Sequence, residues 1–156
     1  DAIFLSASQQ RKTRAGRSFE NHIASVLRDG NIRFEEQAVT GGKRPDFILP
    51  DVRTFESKNR PHLGAVVLSA KTTLRERWKQ VRREGFNCDV FLATVDDRVP
   101  DTSIQEMAQE GITLIVPESL KTSKETCYKN NGNVISFREF FDSEIYRKRP
   151  EILATT

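Results

Sequence analysis

Histidine and cysteine are scarce in this 156-residue chain, at two each. His22 and His62 are too few for a nuclease that sets a histidine base beside a histidine-ligated metal. Cys88 and Cys127 have neither CxxC nor metal-ligand spacing, which predicts reduced thiols in an intracellular, cytoplasmic protein. No apolar stretch approaches the roughly 20 residues of a membrane span, so no membrane partner is expected. The apolar start, residues 1–6, is too short for a signal peptide. Internal repeats and low-complexity tracts are absent. The first residue is Asp1 rather than Met, so a fragment or trimmed product of a longer chain is expected.

What is present suits one soluble domain over residues 1–156. Hydrophobic residues make up 37% of the chain and charged residues 30%, enough for a real core at this length. The net charge is +3 and the isoelectric point about 9.0. Such a balance admits a nucleic-acid partner without requiring one. Basic residues are clustered: Arg11, Lys12, Arg14 and Arg17 near the start, and Arg75, Arg77, Lys79, Arg82 and Arg83 further on. Each cluster reads equally as a solvated helix face or as a DNA-facing surface.

Apolar periodicity sketches the elements. Phe19, Ile23, Val26 and Leu27 recur at helical spacing, with Ser18 as N-cap and Gly30 as stop. Residues 32–39 read as a strand, 40–42 as a turn, and 46–49 as a strand ended by Pro50. Residues 51–63 read as a long polar loop able to approach a ligand. The run 65–70 is a strand buried on both faces. Thr73-Leu74-Arg75-Glu76 forms a capping box that starts a helix to about residue 84, closed by Gly85. Strands at 90–95, 112–116 and 134–137, and helices at 101–110 and 137–146, complete an α/β mixed sheet with helices on both faces.

Hydrolysis of a phosphodiester needs a cation for the developing charge and a held, activated water. Mg²⁺ takes one or two carboxylates plus waters and substrate oxygens. Asp46 opens a strand, and Lys71 ends the central one. An ammonium there needs a partner such as Asp46. On an ideal helix Glu84 lies roughly 80° from the stripe formed by Leu74, Trp78 and Val81, within reach of the same metal. Glu20 is a weaker candidate. Taken singly, these are a turn, a surface lysine and solvated helix charges.

The triplet Arg75-Glu76-Arg77 carries a second signal. Arginine donates in bidentate fashion to guanine, and glutamate accepts from cytosine N4. Residues 75 and 77 are about 200° apart on a helix. Both reach bases only if the helix enters the groove end-on. The competing reading is a solvated triplet in which Glu76 serves only as a cap.

Several motifs occur together in order. They are Arg17-Ser18-Phe19-Glu20-Asn21-His22, Arg44-Pro45-Asp46-Phe47, and Ala70-Lys71-Thr72-Thr73 with Arg77, Trp78 and Gln80. Together they resemble the catalytic domain of the EcoRII-type restriction endonucleases, of the PD-(D/E)xK superfamily. The resemblance spans about residues 11–120, and the segment 111–117 is similar too. Position 69, two residues before the lysine, usually carries an acid in the superfamily; here it is Ser69. A CC:GG-reading subgroup is similar in lacking that acid and uses a glutamate from the following helix, which falls on Glu84.

The resemblance implies a restriction-endonuclease-like sheet and Mg²⁺-dependent cleavage of double-stranded DNA. Asp46, Lys71 and Glu84 would carry catalysis, with Asp46 and Glu84 on the metal and Glu20 assisting. Arg75, Glu76 and Arg77 would read CC:GG edges. Lys12, Arg14, Arg17 and Lys79 are candidate phosphate contacts. A homodimer on a near-palindromic site, CCWGG as first expectation, and extrusion of the central base pair are further implications. The alternatives are a repair or modification-dependent nuclease with the same core, and a catalytically inactive DNA-binding module.

Overall fold

Alternation of side chains builds the centre of the molecule. In the strand β3 (Val66–Ala70) all five residues are buried. Val66, Leu68 and Ala70 join one core, whereas Val67 joins the other. A strand covered on both faces has no polar side to present, which is why the run reads as continuously apolar. The computed structural model describes residues 2–36, 45–75, 77–81 and 87–154, with side chains from Gly16 onward except Gln80.

Among the described residues, six strands form one sheet in the order β1 (Glu35–Glu36), β2 (Phe47–Leu49), β3, β4 (Asp89–Ala93), β5 (Ile112–Val116) and β6 (Val134–Ser136). The first two pairings are antiparallel. The remaining three are parallel. One face packs on helix α1 (Ala2–Asp29) through Ile23, Ala24 and Leu27, and on the last helical segment through Phe140 and Ile145. The other face packs on α3 (Asp101–Gln109) through Ile104 and Met107, and on Leu74, Trp78 and Tyr128. The expected mixed sheet with helices on both faces is therefore present. Among the described residues, no helix is long and apolar enough to cross a membrane.

Several local expectations are corrected. Helix α1 begins at Ala2, so Ser18 is an exposed residue within it and not an N-cap. Helix propagation adds one bond per residue, and the Ala-, Gln-, Lys- and Arg-rich stretch before Ser18 favours it. Of the strand expected over 32–39, the described residues hold Glu35–Glu36 as strand, and 37–39 lie outside the described residues. Ile32 instead bridges to Leu153, and Arg33 N–H donates to the Ile152 carbonyl at 3.1 Å. The partner β2 is only three residues long, which limits the ladder. The turn at 40–42 lies outside the described residues.

The loop expected over 51–63 contains helix α2 (Val52–Glu56), capped by Asp51, whose carboxylate accepts Thr54 N–H at 2.6 Å. Buried Phe55 anchors it, and a 3₁₀ turn follows at His62–Gly64. Downstream, α3 ends as expected, with Gly111 at φ 75°. A short helix α4 (Glu118–Lys121) follows β5. The last helix starts as α5 (Phe137–Glu139), with a capping box from Ser136 and Glu139. It continues in π-helical turns over Phe140–Arg147.

The helix expected from Thr73 is the largest departure. Among the described residues, the segment holds only a 3₁₀ turn, Arg77–Gln80. Glu76, one half of the expected capping box, lies outside the described residues.

Candidate active site and nucleic-acid interface

The C-terminal end of β3 brings the first candidates together. Phe47 stands opposite Leu68 in the antiparallel β2–β3 pair. One further step of that register sets Asp46 opposite Ser69. The Asp46 carboxylate turns back onto the sheet and accepts Ala70 N–H through Oδ2 at 2.8 Å. Its Oδ1 accepts no hydrogen bond among the described residues. Lys71 follows immediately, its own N–H donating to the Ala93 carbonyl at 3.0 Å. By alternation Ser69 and Lys71 share a face. Both Asp46 and Lys71 are half-buried.

The expected Asp46–Lys71 ion pair does not form among the described residues. Lys71 is not fully buried, so its ammonium does not require an ion pair, and a backbone amide takes one carboxylate oxygen of Asp46. Ser69, at the position where an acid is usual, is 6% exposed. Its hydroxyl can offer no anionic ligand there.

Beyond Lys71 the chain makes a tight turn. Arg77 N–H donates to the Leu74 carbonyl at 2.6 Å. Arg75 within that turn has φ 43°, in the left-handed region that L-residues with side chains avoid. Leu74 (0% exposed) and Trp78 (5%) sink into the core on either side. Arg75, Arg77 and Lys79 are exposed. The two arginines thus leave a turn anchored at both ends, not the N-terminus of an α-helix, and the end-on helical geometry no longer applies. Lys79 Nζ lies 6.0 Å from the Trp78 ring centroid.

Glu84 and Glu76 fall outside the described residues, as do the side chains of Lys12 and Arg14. Glu20 lies half-buried on α1 and Arg17 is exposed there. Among the described residues, no group of three or more His, Cys, Asp or Glu could hold a metal. Asp46 with a free oxygen is compatible with a Mg²⁺ site of one or two protein carboxylates completed by water and substrate.

Sequence reading missed the groups beneath the turn. Asp96, on the loop after β4, accepts Leu74 N–H at 2.9 Å. Thr94 and Tyr128, both fully buried, connect to it. Burial pushes the Tyr128 hydroxyl up to about 12, so it stays protonated and donates. A carboxylate two or three residues beyond a buried strand is too common a pattern to have marked Asp96.

The EcoRII C-terminal family matches residues 2–141. The chain belongs to this family. It is 35% identical over 122 residues to the type II restriction enzyme EcoRII of Escherichia coli, covering 76% of this chain and 30% of that protein. To the type II restriction enzyme SsoII of Shigella sonnei it is 31% identical over 161 aligned positions, covering 94% and 50%. The chain thus spans half or less of the length of these relatives.

Among solved structures, metal-depleted Ecl18kI in complex with uncleaved DNA matches with a TM-score of 0.80 and 30% identity, covering 99% of this chain and 52% of that one. The PspGI–substrate DNA complex matches in fold with a TM-score of 0.74 and 24% identity, covering 93% and 66%. The mixed sheet described above is the nuclease fold of restriction endonucleases.

Proposed function

We propose that this domain is the catalytic part of a type II restriction endonuclease that cleaves double-stranded DNA. The observation that carries the reading is the Asp46–Ala70 hydrogen bond. It sets one carboxylate beside Lys71, at the strand end from which exposed Arg75 and Arg77 depart. Family membership supports the same reaction class.

In this reading Asp46 and Glu84 hold Mg²⁺, which when bound supplies charge for the scissile phosphate. Lys71 orients the attacking water through its ammonium and offsets charge on phosphorus-bound oxygen. Glu20 assists near the carboxylates. In-line attack leaves 5′-phosphate and 3′-hydroxyl ends. Arg75 and Arg77 donate to guanines and Glu76 accepts from cytosine. Lys12, Arg14, Arg17 and Lys79 contact phosphates. A homodimer places the same residues on both halves of a CC:GG-containing site, CCWGG being the first expectation.

The test is cleavage of plasmid DNA by the full-length protein with Mg²⁺ and with EDTA, followed by sequencing of the ends. Mg²⁺-dependent, discrete fragments ending at CC:GG sites are expected. Cleavage that persists in EDTA, or random ends, would overturn the proposal.

A further inference from the structure

The loop that follows β4 holds the turn that carries the arginines. Both carboxylate oxygens of Asp96 face backbone amides: Oδ2 accepts Leu74 N–H and Oδ1 accepts Arg98 N–H, each at 2.9 Å. Asp96 N–H donates to Thr94 Oγ1 at 3.0 Å, and Thr94 Oγ1 lies 3.5 Å from the Thr72 carbonyl it faces. The buried Tyr128 hydroxyl donates to the Asp96 carbonyl and accepts Val99 N–H at 3.2 Å. Residues 72 and 74 are therefore gripped from one side, directly between Lys71 and Arg75.

The turn needs such a grip. Arg75 sits in a left-handed conformation that persists only where the surroundings over-determine it. Its neighbour Leu74 contributes the carbonyl that closes the turn and the amide that Asp96 takes. A carboxylate is a stronger acceptor for that amide than water, because the bond is charge-assisted.

We infer that Asp96 is the positioning residue that sets the base-reading arginines in register with the catalytic end of β3. Backbone amides take both its carboxylate oxygens, so it acts through Leu74. Holding the turn before DNA arrives removes the ordering cost that binding would otherwise carry. The inference rests on the proposed role of Arg75 and Arg77 as base contacts.

Trp78 is the sole tryptophan of the chain and lies 5% exposed in the same segment. Its fluorescence therefore reports anchoring of the turn without DNA. Asp96→Ala in the full-length protein should raise acrylamide quenching of this domain's Trp78 about twofold or more, with far-UV circular dichroism unchanged. To isolate that signal, any tryptophan elsewhere in the protein is first replaced by phenylalanine. The ratio of specific to random DNA affinity should fall about tenfold. Asp96→Asn, which keeps one acceptor oxygen, should lie between the two on both readouts. Adding Arg77→Ala to Asp96→Ala should cost less discrimination than Arg77→Ala alone, because the two act on one interaction.

Quenching equal to wild type in both variants would overturn the inference. So would raised quenching with the affinity ratio intact. Should Asp96→Ala fail to fold, Asp96→Asn carries the same two readouts. If the wild type itself failed to discriminate among sites, the base-reading assignment would fall. Trp78 quenching would still decide whether Asp96 holds the turn.

Discussion

Asp46 accepts the backbone N–H of Ala70 at 2.8 Å, one residue before Lys71. The bond runs between two strands that the sheet already pairs, so the carboxylate is positioned by the fold and not by the lysine beside it. Its other oxygen, Oδ1, accepts no hydrogen bond among the described residues.

Substitutions at Asp46 should therefore separate stability from cleavage. Asp46→Asn keeps an acceptor for the Ala70 amide and should melt near the wild-type temperature. Asp46→Ala leaves that amide without its partner and should lose about 1 kcal/mol. Both should cut Mg²⁺-dependent cleavage roughly a hundredfold or more, as should Lys71→Ala and Glu84→Ala. Wild-type cleavage by Glu84→Ala would redirect attention to Glu20 and Ser69.

Arg77→Ala should lower the affinity gap between a CC:GG site and random DNA about tenfold, the effect of losing ~1–3 kcal/mol of base discrimination. Lys79→Ala, two residues on and packed near Trp78, should weaken both DNAs about equally. Competition binding measures both. Equal losses for the two variants would make Arg77 a backbone contact.

Affinity for specific DNA should drop steeply as salt rises, since each Lys or Arg on a phosphate releases counterions. Replacing Lys12, Arg14 and Arg17 together should flatten the slope of log affinity against log salt. A slope that the triple variant leaves unchanged would place the phosphate contacts elsewhere.

At the opposite end of the sheet, Arg149 is fully buried and bonds to Asp89 and to Glu144. Its Nε has no hydrogen-bond partner among the described residues. Burial pushes the Asp89 carboxyl up, but the His62 hydrogen bond and the Arg149 charge outweigh it, and the net shift is downward from 3.8. A carboxyl with a depressed folded value adds stability above its unfolded pKa and loses it as pH falls through the folded one. Asp89→Asn should thus cost about 2 kcal/mol at pH 7, less than breaking a fully buried pair, because Glu144 remains and Asp89 is 41% exposed. The deficit should shrink below pH 3.8. Thermal melts of both proteins from pH 3 to 7 check this; a constant gap would mean Asp89 acts through shape rather than charge.

Much of the sheet was legible because its signal is local. The runs at 65–70, 90–95 and 112–116 stop at residues that cannot continue them, such as Pro117, and each became a strand within two residues of expectation. Edge elements were less legible. Residues 32–39 have strand-like composition, yet within 32–36 the length of β2 and the approach of Leu153 decided how many residues pair. Neither quantity is written in the segment itself. The short helix α2 had a readable cap in Asp51 but was hidden by its polar surroundings.

Sequence by itself determined the family, the three central strands and the chemistry available at Asp46 and Lys71. These follow from residue type and from apolar runs that carry their own pattern. Tertiary structure alone decided residues 73–75 and 77–81. Locally, Thr73 to Glu76 spells a helix start, and such a cap is worth ~1 kcal/mol. Burial of Leu74 and Trp78 in the core contributes ~1.5–3 kcal/mol for each large apolar side chain, and Asp96 takes the Leu74 amide from another loop. The long-range terms exceed the local one, so the described residues of the segment form an anchored turn where its own sequence asks for a helix.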